Sequence, residues 1–381
     1  MSKSLGWQAC ALGAVTAWMI ALIPAAPGAA AQAPRWRMQY FYDQNKTELS
    51  LHDIQTPSAK RGFAIGTIQD ERGGSRKPVA VVTSDGGAHW EQMKLEEHPV
   101  SLFFLNDSLG WMVTEKGIWR TSESGKDWKK LPKPPAPALR VYFVDENNGW
   151  AACTKKTVLE THDGGNKWEA IKTPAGLPGA AERSAFSWIT FANKDYGLVL
   201  GFNQPLSRWG SQFPAWMDPE DAITRRDTPH LSYTMVTNDR GKTWRAGSTS
   251  LFGQVTRARF SAEGPGMGLI EMGHSSNFPS EVYELDWKTG KSHTIFRDKR
   301  YFITDVWMTP NGTSYIAGVE VAGQVHSIAP GNVKAFKSSD RKVWEEMPVD
   351  YRAVANRVII AGFGDENLWL ATDNGMILKL Q

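Results

Sequence analysis

A carboxylate beside paired glycines is the first group in the sequence whose chemistry could be catalytic or metal-binding. Asp85 lies in the segment TSDGGAHW, between an alternating apolar stretch and Trp90. An acidic side chain in a glycine-rich loop can bind a cation or transfer a proton. The same residue types also form tight turns, in which the Asp accepts hydrogen bonds from backbone N–H groups. Recurrence elsewhere in the chain distinguishes these two roles.

The segment returns at 121–128, 161–168, 237–244 and 338–344. The shared pattern is Ser/Thr-x-Asp-x-Gly-x-x-Trp, and its residues are Asp85, Gly87, Trp90, Gly125, Trp128, Asp163, Gly165, Trp168, Asp239, Gly241, Trp244, Asp340 and Trp344. A catalytic centre is needed once, whereas this turn occurs five times, with Glu123 in place of Asp in one copy and no Gly in the last. We therefore predict that these residues are structural, with the Gly at a positive φ.

Spacing of the turns predicts the architecture. Their tryptophans are 38, 40, 76 and 100 residues apart, and a period of 40–50 residues is typical of propeller blades. Repeated strand patterns form seven units, at 49–95, 99–131, 138–172, 185–247, 255–296, 302–347 and 354–380. The last unit has three strands, and residues 35–43 resemble its missing outer strand.

The sequence thus predicts an all-β fold, a seven-bladed β-propeller of four-stranded antiparallel blades. Pairing of the N-terminal strand with the last blade would close the ring and remove two unpaired sheet edges. Because the fifth unit lacks the repeated turn, six or eight blades remain alternatives.

Most of the length variation falls on the face opposite to the repeated turns. The longest insertion, at about 203–231 in the fourth blade, combines aromatic residues with arginines, as protein and sugar contacts do. The candidate binding residues on this face are Arg72, Arg76, Arg208, Trp209, Trp216, Arg225, Arg226 and His274. The alternatives are an insertion that buries its own rings and hairpin tips that only face solvent.

Signatures of common catalytic and metal sites are missing from the sequence. The histidines have no ligand spacing. Cys153 is the only cysteine outside 1–31, and it lies in an apolar strand pattern, which is typical of a small core residue. The segment DENNG, at 145–149, lacks the spacing of a calcium loop and is predicted to be a hairpin turn, while bound calcium stays an alternative. We expect no catalytic residue, cofactor or metal site; the enzymatic alternative is a glycoside hydrolase.

Composition and the N-terminal segment indicate the compartment. The 381 residues carry a formal net charge of +3 and no strongly basic segment, which argues against a nucleic-acid partner. Lys3, the apolar stretch at 11–26 and the small residues after it predict a signal peptide over 1–31, with cleavage before Gln32. An uncleaved anchor is the alternative. We expect residues 32–381 to form one exported domain, periplasmic or extracellular.

The repeated turn resembles the Asp-box, also called the BNR repeat. Sialidases share it, but their early Arg-Ile-Pro motif has no match in KRGFAIG, at 60–66. The pattern F…D…GW followed by T-DGG-W is clearest over 79–172. It resembles the repeats of the photosystem II stability and assembly factor family and its bacterial relatives.

That resemblance implies a non-catalytic propeller that binds an exported or membrane protein or peptide during assembly. We expect it to act as a monomer. The alternative is a sugar-binding or carbohydrate-active protein of the Asp-box type, which includes the sialidase-like enzymes.

Overall fold

Seven antiparallel sheets succeed one another along the chain. They belong to a computed structural model that describes residues 33–44, 46–70, 74–172, 174, 176–204, 230–261, 264–272, 277–321 and 330–381. Within these ranges the only helix is a 3₁₀ turn, Ala181–Arg183, so no described helix is long and apolar enough to cross a membrane.

Each sheet is one blade, and in blades 1 to 6 the four main strands run from the inner to the outer edge in chain order. Blades 1 and 2 contain β2 (Thr47–Gln55), β3 (Gly62–Asp70), β4 (Arg76–Thr83), β5 (Glu91–Lys94), β6 (Pro99–Phe104), β7 (Gly110–Thr114), β8 (Gly117–Thr121) and β9 (Lys129–Lys130). Blades 3 and 4 contain β10 (Ala138–Phe143), β11 (Gly149–Cys153), β12 (Val158–Thr161), β13 (Glu169–Ala170), β14 (Ser184–Phe191), β15 (Gly197–Asn203), β16 (His230–Thr237) and β17 (Arg245–Leu251). Blades 5 and 6 contain β18 (Gly253–Arg259), β19 (Gly266–Met272), β20 (Ser280–Asp286), β21 (Lys291–Phe296), β22 (Tyr301–Met308), β23 (Ser314–Glu320), β24 (Gly331–Ser338) and β25 (Glu345–Met347).

The seventh blade joins both ends of the described chain. It consists of β27 (Val358–Phe363), β28 (Asn367–Thr372), β29 (Met376–Leu380) and the first strand, β1 (Trp36–Phe41). β1 pairs antiparallel with β29, with Trp36 opposite Leu380 and Phe41 opposite Met376. This pairing confirms the predicted seven blades and their closure by the N-terminal strand.

Blade 7 begins later than its predicted boundary at 354. Residues Val354–Ala355 form a short strand, β26, that pairs with β24 of blade 6. The turn after it is held by Asp373, whose Oδ1 accepts hydrogen bonds from the backbone N–H groups of Asn356 (3.0 Å) and Arg357 (3.2 Å). The polypeptide therefore completes blade 6 before it enters the inner strand of blade 7.

The seven inner strands enclose a central channel. They are β2, β6, β10, β14, β18, β22 and β27; each contacts the next, and β27 contacts β2. Apolar side chains on both faces of the blades fill the spaces between them, where they form the hydrophobic cores. Because a closed ring buries every inner strand between two neighbours, charged residues on these strands need partners inside the channel.

Three of the five repeated turns share one hydrogen-bonding geometry. Oδ1 of Asp85, Asp163 and Asp239 accepts a bond from the backbone N–H four residues later, at 2.9–3.0 Å. The preceding Thr hydroxyl accepts a bond from the N–H of the turn glycine, whose φ is between 79° and 97° in Gly87, Gly125, Gly165 and Gly241. Glu123 does not accept such a bond from any described residue, so that turn relies on the threonine, Thr121.

These hydrogen bonds predict a contribution to acid sensitivity. They hold the pKa values of Asp85, Asp163 and Asp340 below the usual range, chiefly through backbone N–H donors, and the Thr243 hydroxyl is the main cause of the lowered pKa of Asp239. A carboxyl whose pKa is lowered by folding stabilises the folded state above its unfolded pKa of about 4, and that contribution is lost as pH falls through the folded pKa.

We therefore expect Asp163→Asn to have a lower melting temperature than the wild-type protein at pH 7. The difference between the two melting temperatures should disappear in acid. The measurement is a set of thermal unfolding curves for both proteins between pH 7 and pH 2. A difference between them that stayed constant down to pH 2 would contradict the role given to the Asp163 carboxylate.

Candidate functional site

Charged and aromatic side chains from several blades meet in the central channel. Asp53 comes from β2, Arg140 from β10, Trp188 from β14, Arg257 and Arg259 from β18, and Asp305 and Trp307 from β22. We call these seven residues the channel cluster. They lie on five of the inner strands, and 48–87 residues separate members that contact each other across blades.

A shift in strand register directs these side chains. In six inner strands one extra residue interrupts the pairing with the second strand, directly before Asp53, Ser101, Arg140, Trp188, Arg257 and Asp305. A bulge bends the strand and redirects the side chain that follows it. These six positions are therefore equivalent around the ring.

The two aspartates join neighbouring blades. Asp53 accepts bonds from the N–H of Ile54 in its own strand and of Leu102 in blade 2, both at 3.0 Å. Asp305 accepts bonds from the N–H groups of Val306 (2.9 Å) and Ile360 (3.0 Å), so it connects blade 6 to blade 7 in the same way. In both aspartates the backbone donors occupy part of the carboxylate, and its remaining lone pairs can bind a cation.

Each aspartate also pairs with an arginine. Arg140 Nη2 lies 3.0 Å from Asp53 Oδ2, and Arg257 Nε lies 3.5 Å from Asp305 Oδ1. Asp305 is fully buried, and the side chain of Arg257 is 20% exposed. Burial lowers the pKa of Arg257 and the nearby Asp305 opposes this, so the ion pair keeps the guanidinium charged in the channel.

Trp188 organises the arginines. Its ring centroid lies 4.2 Å from the guanidinium carbon of Arg140, 4.7 Å from that of Arg257 and 5.0 Å from that of Arg259. The indole Nε1 donates a hydrogen bond of 2.8 Å to the carbonyl oxygen of Ala258, which fixes the ring against blade 5. Stacking on an indole positions a guanidinium without using its N–H donors.

Arg259 is the cation of the cluster that lacks an acidic partner. Its guanidinium lies between Trp188 and Trp307, 4.8 Å from the Trp307 centroid, and its Nε has no hydrogen-bond partner among the described residues. No described carboxylate lies within ion-pair distance of it. Burial lowers the pKa of Arg259, although nearby Asp305 opposes this. Among the described residues, therefore, no acceptor competes with an anion for this guanidinium.

The charge balance of the channel supports anion binding. Arg357, just before β27, pairs with Glu271 at 2.9 Å between Nη1 and Oε2. Burial alone would raise the pKa of Glu271, but the Arg357 guanidinium holds it below its usual range. With this pair included, four arginines face three carboxylates, a net charge of +1. A carboxylate or other anion at Arg259 would neutralise it.

The structure describes one of the candidate binding residues predicted from the sequence. Arg76 is the exposed first residue of β4. The other predicted positions lie outside the described residues: Arg72, Arg208, Trp209, Trp216, Arg225, Arg226 and His274. Binding at the predicted face therefore stays a prediction, and the channel cluster is a separate site that the sequence analysis missed.

Two groups considered for chemistry are engaged in structural roles. Burial raises the pKa of Cys153 to about 12, so its thiol is a core group rather than a nucleophile. Asp145 of the DENNG segment accepts bonds from the N–H groups of Asn147 (2.9 Å) and Asn148 (2.8 Å). Among the described residues no group of three acidic, His or Cys side chains is arranged to hold a metal ion.

Curated relatives match part of the chain. It is 28% identical over 163 residues to the photosystem II assembly lipoprotein Ycf48 of Synechococcus sp. (strain RCC307), covering 38% of this chain and 48% of that protein. It is 24% identical over 181 residues to Ycf48 of Synechococcus sp. (strain CC9902), covering 45% and 50%. The chain thus spans about half the length of these relatives. No family model matches it.

Solved structures match the fold over nearly the whole chain. Ycf48 from Cyanidioschyzon merolae has a TM-score of 0.58 and 16% identity, with 91% of this chain and 98% of that chain covered. A structure described as Ycf48 bound to D1 peptide has a TM-score of 0.56 and 15% identity, with 89% and 98% covered. By sequence, this chain resembles the photosystem II assembly lipoprotein Ycf48, and it shares the seven-bladed propeller fold of the solved Ycf48 structures.

Proposed function

We propose that this chain is an exported, non-catalytic propeller that binds a protein partner and receives an acidic group of that partner at Arg259. The observation that carries the proposal is the unpaired guanidinium between Trp188 and Trp307 in a channel of net positive charge. Such a site suits an extended peptide that ends in a carboxylate or carries Asp or Glu, because the tryptophans keep the guanidinium in place before the peptide arrives.

The relatives support a partner that is a membrane protein or a peptide of one. Two are named as photosystem II assembly lipoproteins, and one similar structure is described as bound to a D1 peptide. A lipoprotein is an exported protein, which agrees with the signal peptide expected over 1–31. The relatives are assembly proteins and give a glycoside hydrolase no support. We propose a periplasmic or extracellular monomer for this chain.

The geometry predicts a strong effect of Arg259 on peptide binding. In a fluorescence-anisotropy titration with a labelled octapeptide of Asp, Glu and Ala with a free C-terminus, Arg259→Ala should raise Kd by about 10- to 100-fold, because it removes charge-assisted hydrogen bonds in a partly desolvated site. Rising salt should weaken binding to the wild-type protein more than to the variant.

The matched control is Arg300→Ala. Arg300 is an arginine whose side chain is 66% exposed and paired with Asp298 within its own turn, so its loss should leave Kd within a factor of two. Melting temperatures of both variants distinguish lost binding from lost folding. Equal affinity of the wild-type protein and Arg259→Ala for this peptide would show that the channel cluster is not the receiving site.

A further inference from the structure

A second cleft lies between blades 4 and 5, outside the central channel. Its volume is about 800 Å³. Tyr196 and Arg245 of blade 4 and Trp287 of blade 5 line it, together with the polar side chains of Asn238 and Thr234. Ligand sites in proteins have volumes of about 300–1,000 Å³, so this cleft has the size of a binding site.

The cleft exists because blade 5 lacks the repeated turn. At the equivalent position between blades 1 and 2, the turn residues Ser124–Lys126 line a cleft of only about 350 Å³. There Trp128 packs edge-on against Phe63 of the preceding blade, with the ring centroids 5.7 Å apart. In blade 5 a short turn, Asp286–Gly290, is closed by a 2.7 Å bond from Gly290 N–H to the carbonyl oxygen of Asp286. Trp287, the only tryptophan of blade 5, lies within this turn instead of after it. The outer part of the gap between blades 4 and 5 is therefore left open.

Two aromatic rings form the apolar part of this cleft. The centroids of Tyr196 and Trp287 are 5.0 Å apart, with a 40° angle between the rings. Trp287 Nε1 donates a 3.0 Å bond to the carbonyl oxygen of Gly264, and Tyr196 packs edge-on against Phe260. Both rings are thus anchored from behind, and both remain partly exposed to the cleft.

Polar groups surround these rings. With its amide oriented to satisfy its neighbours, Asn238 accepts a 2.9 Å bond from Arg245 Nη2, which positions the guanidinium at the cleft. Thr234 and Thr289 add hydroxyl groups, and Asp195, Arg245 and Lys288 give the lining a net charge of +1. An apolar ligand would desolvate these groups without bonding to them.

We propose that the cleft between blades 4 and 5 binds an oligosaccharide, with preference for one that carries carboxylates. Aromatic faces beside amides, hydroxyls and a guanidinium match the alternating apolar and hydroxyl-bearing surfaces of a sugar ring. The positive lining favours an acidic sugar over a cationic one. The site is independent of peptide binding at Arg259, so either proposal can fail alone.

The test uses trigalacturonate as the acidic probe and cellotriose as the neutral one. Isothermal titration calorimetry with the wild-type protein should show saturable binding of trigalacturonate with a Kd below about 1 mM, and weaker binding of cellotriose. Trp287→Ala should weaken trigalacturonate binding at least about tenfold, Trp287→Phe should restore most of it, and Arg245→Gln should weaken trigalacturonate more than cellotriose.

Two controls make the result specific. Lys126→Ala changes the smaller cleft between blades 1 and 2, and Arg259→Ala changes the channel cluster; both should bind trigalacturonate as the wild-type protein does. Melting temperatures establish that the Trp287 and Arg245 variants are folded. The proposal is overturned if neither saccharide binds the wild-type protein at 10 mM, if folded Trp287→Ala binds trigalacturonate normally, or if Arg259→Ala abolishes that binding.

Discussion

Trp36→Ala is expected to lower the free energy of unfolding by about 3–5 kcal/mol, the cost of truncating a fully buried aromatic side chain. Trp36 is 0% exposed and packs between the cores of blades 6 and 7. Its backbone N–H donates to the carbonyl oxygen of Pro348 (2.8 Å), and its own carbonyl accepts from Asp350 N–H (3.0 Å). The side chain therefore anchors the strand that closes the ring.

A residue on the same strand provides the control for Trp36. Phe41 also lies on β1 opposite a residue of β29, but it is 49% exposed, so Phe41→Ala should cost far less. Urea unfolding followed by tryptophan fluorescence and circular dichroism measures both variants. Size-exclusion chromatography of Trp36→Ala should show more aggregation, because a loosened β1 exposes the edge of β29. Equal stability of the two variants would mean that β1 does not hold the ring closed.

The fold was predictable because its information is local and repeated. The pattern of each turn is contained within about eight residues, from Thr83 to Trp90 in the first copy, and the alternating apolar residues around it predict the strands. Closure of the ring was predictable from the number of strands, because the last unit has three strands and the N-terminal segment contains one unpaired strand. The boundary at 354 was wrong because β26 reads as an ordinary strand, and only its pairing with β24 assigns it to blade 6.

The channel cluster could not be derived in the same way. Its members come from five different inner strands, and contacts such as that between Arg140 and Asp53 span 87 residues. The one sequence signal was a charged residue inside an apolar strand pattern, as in Arg257 and Arg259 of VTRARF and Asp305 of FITDVWM. Sequence could show that these charges need partners, but only the ring geometry shows which partners they have.

The missing turn in blade 5 was visible in the sequence, but its effect was not. The absence of the repeated turn indicates that blade 5 is degenerate, but it does not indicate what fills the gap between blades 4 and 5. The answer depended on the length of the turn Asp286–Gly290 and on where its tryptophan packs. Cleft volume is a property of two blades together, which a repeat pattern within one blade does not contain.

Asp305→Ala is expected to destabilise the protein by about 3–5 kcal/mol, as breaking a buried ion pair does. The carboxylate is fully buried, accepts hydrogen bonds from the N–H groups of Val306 and Ile360, and forms an ion pair with the guanidinium of Arg257. Its removal leaves a cation and a backbone donor of the neighbouring blade without an acceptor. Asp305→Asn should lower the free energy of unfolding by less than Asp305→Ala does. Its amide oxygen can still accept one of these bonds, although the charge of Arg257 stays uncompensated.

An exposed pair of the same chemistry separates burial from charge. Asp107 lies 3.1 Å from Arg61 and its side chain is 52% exposed, so Asp107→Ala should change the urea midpoint little. Double-mutant cycles with Arg257→Met and Arg61→Met measure each pair directly: the coupling should be large for Asp305 with Arg257 and near zero for Asp107 with Arg61. Equal couplings would mean that the channel is as well solvated as the surface. In that case the tryptophan-flanked Arg259 would bind an anion no better than an exposed arginine does. The stability of the ring and the proposed peptide site both depend on the low solvation of the channel.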